Sequence, residues 1–300
     1  MWGVLAAALL FGAAFPLCRA LAGDWGAVPL AGALYLASGL GLSAARTVVR
    51  RGEPVRGGDW KWLWGAVLFG GMAAPIAFVY GSALTTGYAG ALLGNLETVF
   101  TAVIAVAVFR ERLGAREWAA FAVLLAGAAT VGWATAEARS AARPVLGGVL
   151  VAVAGLLWAV DNNFTRRIAD RDPLQIAGIK GLVAGPVNLA LGLALKQAVP
   201  LRAGPLIGAA LVGLICYGVS LVLTVIGMRR LGAARVSALY TTSPVSGVIV
   251  SWLLLREAPG PWALAGGAAM VCGVLWLAAM EASKATPSSS SGAPSGPDRT

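Results

Sequence analysis

Leu92-Leu93-Gly94-Asn95-Leu96-Glu97-Thr98-Val99-Phe100 runs on through Ile104-Ala105-Val106-Ala107-Val108-Phe109 before it meets Arg110-Glu111-Arg112. The run is long enough to cross a bilayer, and a carboxylate stands near its middle. A charged side chain at the centre of a membrane helix costs about 2.5–3.5 kcal/mol on insertion scales and more in simulations. Such a group does not face lipid. Glu97 therefore implies a protein or water-filled interior, and an interior implies several other spanning helices to build it.

The composition agrees. The chain is 58% hydrophobic and 12% charged, with a mean hydropathy of +0.79. A soluble domain carries about 25% charged residues, so this chain has too little charge to cover a soluble surface. Its 40 Gly among 300 residues suit helices that approach closely. The net charge of +10 does not point to nucleic acid, because Lys and Arg sit in short clusters between apolar runs, as topology signals do. Cys18, Cys216 and Cys272 lie far apart in apolar runs, without metal-ligand spacing, and read as small hydrophobic residues. The absence of His removes the commonest proton shuttle and metal ligand. No metal or other cofactor is expected.

Ten apolar runs are expected to span: 2–21, 28–45, 60–80, 88–109, 116–134, 145–165, 174–195, 205–227, 232–255 and 260–280. The first lacks the basic start and small-residue cleavage site of a signal peptide. Runs this continuously apolar are helices, not barrel strands. Residues 282–300, rich in Ser, Pro and Gly, read as a disordered tail. With the N-terminus placed in the cytoplasm, the cytoplasmic links hold Arg46, Arg50, Arg51, Arg56, Lys61, Arg110, Arg112, Arg116, Arg166, Arg167, Arg171, Arg229, Arg230 and Arg235. The opposite links hold only Arg19, Arg139, Arg143, Lys196, Arg202 and Arg256. The expected orientation has both termini cytoplasmic, in a cell (inner) membrane.

A shift of 146 residues lays 81–133 on 227–279 without a gap. Gly81 falls on Gly227, Val99 on Val245, Arg110-Glu111 on Arg256-Glu257 and Gly127 on Gly273. Each half holds five runs, and an odd number makes the second half enter from the opposite side. The expected fold is an all-α integral membrane protein of ten transmembrane helices, arranged as two inverted five-helix repeats around a central cavity, with halves 1–136 and 145–281.

Here the chain resembles the EamA-like family of the drug/metabolite transporter superfamily. The residues that carry the resemblance are Leu96-Glu97-Thr98-Val99-Phe100 with Glu111-Arg112-Leu113, Ser243-Pro244-Val245 with Arg256-Glu257, and the tract Leu157-Trp158-Ala159-Val160-Asp161-Asn162-Asn163-Phe164-Thr165-Arg166. Two departures stand out. Glu97-Thr98 occupies the place of the family's Glu-Pro, and Arg110 and Arg256 stand where a Gly often precedes the turn Glu. The resemblance implies a ten-helix carrier whose cavity is lined mainly by helices 1, 3, 4, 6, 8 and 9.

Three charges fall inside spans: Glu97, Asp161 and Lys180. Intramembrane ionisable groups mark pathways or hold helices together, and for Glu97 the sequence leaves both roles open. Asp161 with Asn162 is the stronger pathway candidate. Lys180 is expected to pair with a carboxylate or to snorkel. Asn95, Tyr80, Tyr217, Tyr240, Thr241 and Ser243 offer hydrogen bonds and Trp158 an aromatic wall. The expected function is a secondary transporter of a small organic metabolite or amphiphilic compound, amino-acid-like or drug-like, working by alternating access. By the resemblance it is an exporter, and two acids within the spans of a chain without His suggest proton coupling. Uptake or facilitated diffusion is the alternative. A membrane enzyme would need a nucleophile–base set that the sequence does not offer, so the protein is not expected to be an enzyme. A non-transporting membrane interaction protein would lack a polar cavity. The expected partners are the solute and the bilayer, in a monomer or homodimer.

Overall fold

The computed structural model describes residues 2–49, 52–109, 114–136, 141–231, 239–240 and 242–284. Those residues are helical almost throughout, and they contain no β-strand beyond one isolated bridge between Glu53 and Arg171. Seven helices are long and apolar enough to cross a membrane. In the numbering used below they are α1 (Trp2–Leu21), α2 (Ala27–Val48), α3 (Gly57–Leu84), α6 (Ala115–Ala136, apolar from Trp118), α7 (Pro144–Arg166), α8 (Pro173–Ala194) and α9 (Ala203–Gly227). Between α3 and α6 lie α4 (Gly87–Leu93) and α5 (Leu96–Phe109). After α9 come α10 (Ser243–Leu255) and α11 (Pro261–Lys284). Large apolar side chains such as Leu40, Leu68, Trp133, Trp252 and Trp262 face outward. Water would not tolerate such a surface, but lipid does. The protein is a multi-pass integral membrane protein.

The glycines do the packing work expected of them. α2 lies against α8, where Gly32 faces Leu189, Gly39 faces Leu182 and Gly185 faces Leu36. α6 lies against α11, with Gly127 on the Gly266 carbonyl and Gly266 on that of Gly127. α3 crosses α7 at Gly81 and Gly147, where a Cβ on either would come within 2.9 Å of the other's carbonyl oxygen. Helices gain little from apolar contact with each other in a membrane, so close backbone approach supplies much of the attraction.

Two irregularities decide what these helices present to the interior. The fourth apolar run is interrupted. α4 ends in a tight turn at Gly94 and Asn95, where the Asn95 N–H bonds the Leu92 carbonyl and the Glu97 N–H bonds that of Gly94. A matching turn precedes α10, where the Thr242 N–H bonds the Leu239 carbonyl. The two turns fall at places related by the 146-residue shift. The second irregularity is wide, π-type helix at Val67–Ala73 in α3 and at Val212–Val219 in α9. In α3 the Ala74 N–H reaches back to the Phe69 carbonyl. The Gly70 carbonyl would then need the N–H of residue 75, which is Pro75 and has none. The π-type turn thus frees a buried carbonyl, and such turns are frequent at functional sites.

Candidate functional site

The freed Gly70 oxygen accepts the Tyr35 hydroxyl at 2.6 Å and the Trp158 indole N–H at 3.3 Å. This joins α2, α3 and α7 at one point. Beside it, Asp161 of α7 meets Lys180 of α8 at 2.5 Å, both buried. The second Asp161 oxygen accepts the Thr165 hydroxyl at 2.9 Å. Any Cβ on residue 70 would strike the Asp161 carboxylate, so Gly70 gives the acid its room. Asp161 is saturated: a cation on one oxygen and a hydroxyl on the other.

Glu97 is placed differently. It sits in the first turn of α5, where the helix dipole favours a negative charge. Gly155 of α7 lets the backbone of α5 come close, since a Cβ there would lie 3.2 Å from the Glu97 nitrogen. One Glu97 oxygen accepts the side-chain N–H of Asn162 at 2.6 Å. Among the described residues no cation stands within ion-pair distance of it. Glu97 borders a cavity of about 50 Å³ that is also lined by Phe11, Phe15, Ala91, Gly94, Asn95, Tyr240 and Ser243. Asn95 is 7% exposed, and its side-chain N–H group has no partner. A buried amide left without an acceptor costs about 1–3 kcal/mol, so a donor in that state beside a cavity marks a place where a ligand or water belongs.

An aromatic cluster reaches this cavity through Phe11, Phe15 and Tyr240. Phe11 packs on Phe15, Trp158, Tyr217 and Tyr240, with ring centroids 5.7 to 6.4 Å apart. Phe78 closes against Phe15 and Trp158 at 4.7 and 5.3 Å. The Tyr240 hydroxyl lies 3.0 Å from Ser220 Oγ and 2.6 Å from Thr224 Oγ1. Tyr217 lies in the π-type segment of α9, and its hydroxyl is 3.9 Å from Cys18 Sγ. Among the described residues no group of three or more His, Cys, Asp or Glu is placed to hold a metal ion.

The structure thus brings Glu97, Asn95, Tyr240 and Ser243 to the cavity, with Asn162 bonded to Glu97 and with Trp158 and Tyr217 packed on Phe11. Asp161 and Lys180 lie beside it but satisfy each other. Tyr80 is not part of it: its hydroxyl accepts from the Gln197 side chain near the α8–α9 link. Thr241 and Arg110–Leu113 lie outside the described residues. Phe11, Phe15, Phe78 and Tyr35 were not singled out from the sequence. The four-residue spacing of Phe11 and Phe15 puts both on one helix face, but the same spacing serves ordinary packing.

Described residues that are almost all helical, with buried ionisable groups, a small cavity bordered by Glu97 and Asn95, and an apolar outer surface, have the build of a membrane transporter. The chain belongs to the EamA-like transporter family, whose profile matches residues 1–133 and again residues 145–279. It is 27% identical over 297 residues to a protein of Methanothermobacter thermautotrophicus described as an uncharacterized transporter, a match covering 92% of this chain and 86% of that one. It also superposes on a solved crystal structure with a TM-score of 0.67, at 17% identity, covering 94% of this chain and 98% of the other. That likeness concerns the fold.

Proposed function

We propose that the protein is a secondary transporter that carries a small organic solute across the cytoplasmic membrane by alternating access, in the export direction. In this reading the chain crosses ten times, α4 with α5 forming one crossing and the segment ending in α10 another, and both termini are cytoplasmic. Three features support two inverted halves. The turns before α5 and α10 fall at shift-related places, as do the π-type segments of α3 and α9. The main pairings, α2 with α8 and α6 with α11, each join one half to the other. Interrupted helices whose ends face the middle of the membrane are the usual source of binding groups in such carriers.

The observation that carries the reading is the Glu97–Asn95 pair at the cavity. A carboxylate without a cation and an amide donor without an acceptor flank the same helix interruption. The carboxylate can take a proton or a solute's ammonium group, and the amide can donate to a solute's oxygen. The rings of Phe11, Phe15 and Tyr240 supply an apolar wall. A cavity of about 50 Å³ is far below the roughly 300–1,000 Å³ of a small-molecule site. The described conformation is therefore closed, and loading requires the lining helices to move apart.

Coupling follows from the same geometry. A protonated Glu97 no longer repels apolar surroundings and permits closure; an ionised one demands a counter-charge. Solute and proton would then exchange at one carboxylate, with Asn162 as its hydrogen-bond partner in the solute-free state. The test is a thermal-shift screen of the purified protein against amino acids, nucleosides, sugars and amphiphilic cations, followed by flux of the hits in proteoliposomes. Saturable flux that responds to a pH gradient is expected. Absence of any stabilising solute, with no flux of any class tested, contradicts the reading.

A further inference from the structure

A second buried ion pair lies about 6 Å from the cavity along α1, four residues beyond the cavity-lining Phe15 at 1.5 Å per residue. Arg19 meets Glu257 at 2.9 Å, with side chains only 14% and 7% exposed. Arg19 also donates to the carbonyls of Ser82 and Ala83 at 3.3 Å and to that of Thr85. The other Glu257 oxygen accepts the Gly87 N–H at 2.7 Å and the Ser251 hydroxyl at 3.2 Å. Two residues thus fasten the end of α1, the α3–α4 link, the start of α4 and the end of α10. Three of these helices, α1, α4 and α10, also line the central cavity.

We propose that the Arg19–Glu257 knot is the gate of the cavity on this face, closed in the described conformation and broken when the cavity opens to that side. The proposal rests on the transport reading. Three observations favour a fastening that opens over a permanent brace. First, a buried ion pair is a poor source of stability, because desolvating both charges offsets most of their attraction. Second, the closed knot leaves the buried hydroxyls of Ser82 and Thr85 without partners, a deficit that entering water would relieve. Third, the backbone beside Glu257 is strained. α10 ends in π-type helix at Ser251–Leu255, and Arg256 follows with φ 58°. A non-glycine residue there costs roughly 1–2 kcal/mol, and such strain gathers at switch regions.

Cys18, fully buried next to Arg19 and against Tyr217, is a native reporter of opening. In a Cys216→Ala, Cys272→Ala background, the rate of Cys18 modification by a membrane-impermeant maleimide is read by peptide mass spectrometry, in vesicles of each orientation. Glu257→Gln keeps the side chain's shape and removes the charge. It is expected to speed modification at least about tenfold, only from the face opposite the N-terminus. The opposite lock is Gly87→Cys with Ser251→Cys. A Cβ at 87 would lie 2.8 Å from Ser251 Oγ, within disulfide reach. Oxidation is expected to slow Cys18 modification below the parent rate, and reductant to restore it. The gate is overturned if Glu257→Gln leaves the rate unchanged in folded protein, or raises it equally from both faces, as general loosening would. It is also overturned if a formed disulfide leaves the rate unchanged. Should the disulfide not form, the Glu257→Gln result decides alone. If Cys18 responds as expected while no solute is carried, the gate stands and the transport reading falls.

Discussion

Asp161 and Glu97 are both carboxylates inside apolar helices, on neighbouring elements, and the protein answers their charges differently. Asp161 has a lysine at 2.5 Å, a hydroxyl at 2.9 Å and a glycine surface beneath it. Glu97 has a single side-chain amide from an exposed residue and a cavity in front of it. Burial alone does not separate a transport residue from a brace. What separates them is whether the charge has already been answered by the protein. Asp161 is answered by Lys180 and Thr165 within the scaffold; Glu97 is not, and in the proposed reading its charge is available to a proton or a solute. In the proposed reading α7 with α8 is scaffold, and the interruption between α4 and α5 is the working part.

Removing Lys180 should have the largest effect on stability. Lys180→Met leaves Asp161 buried without its cation, which typically costs about 3–5 kcal/mol. Adding Asp161→Asn should recover most of that loss in the same unfolding measurement. A Lys180→Met protein as stable as the parent would erase the distinction drawn above. Gly70→Ala comes next. Its new methyl group meets the Asp161 carboxylate and must displace it, at a cost of about 1–3 kcal/mol for overpacking. Denaturant or thermal unfolding in detergent checks this, and an unchanged midpoint would show that the pair has room to spare. The smallest effect belongs to the cavity. Asn95→Ala removes a donor that bonds to nothing, so stability should move by less than about 1 kcal/mol, while stabilisation by any bound solute weakens. A large loss of stability would reclassify Asn95 as structural.

Much of the fold could be read from the sequence, because its causes are local or compositional. Low charge and long apolar runs dictate membrane helices, and glycine abundance dictates close packing. The motifs around Glu97 and Glu257 identify the family. The site was legible only in part. Glu97, Asp161 and Lys180 stand out as charges in apolar runs, but which carboxylate takes the lysine depends on how α7 and α8 face each other. From the sequence Asp161 with Asn162 is the stronger pathway candidate; in the structure Asp161 pairs with Lys180, and Glu97 is the carboxylate that borders the cavity. The π-type segment of α3 has one sequence cue, Pro75, which has no N–H for the Gly70 carbonyl; that of α9 has no such cue. Arg256 is the instructive departure. The resemblance leads one to expect glycine there, and the backbone of Arg256 is left-handed, a conformation that suits glycine and strains arginine; only the structure exposes that strain. Tyr80 is polar and within a span by number, yet α3 carries it past the cavity to Gln197.

The most direct test of the central claim compares Glu97→Gln with Asp161→Asn in the same proteoliposome assay, using the best solute from the thermal-shift screen and an imposed pH gradient. Both substitutions keep size and shape. The account predicts that Glu97→Gln folds with near-parental stability but loses pH-driven flux and solute stabilisation. It predicts that Asp161→Asn mainly lowers stability and leaves pH dependence in the flux that remains. PH-driven transport that survives Glu97→Gln and vanishes with Asp161→Asn would contradict it.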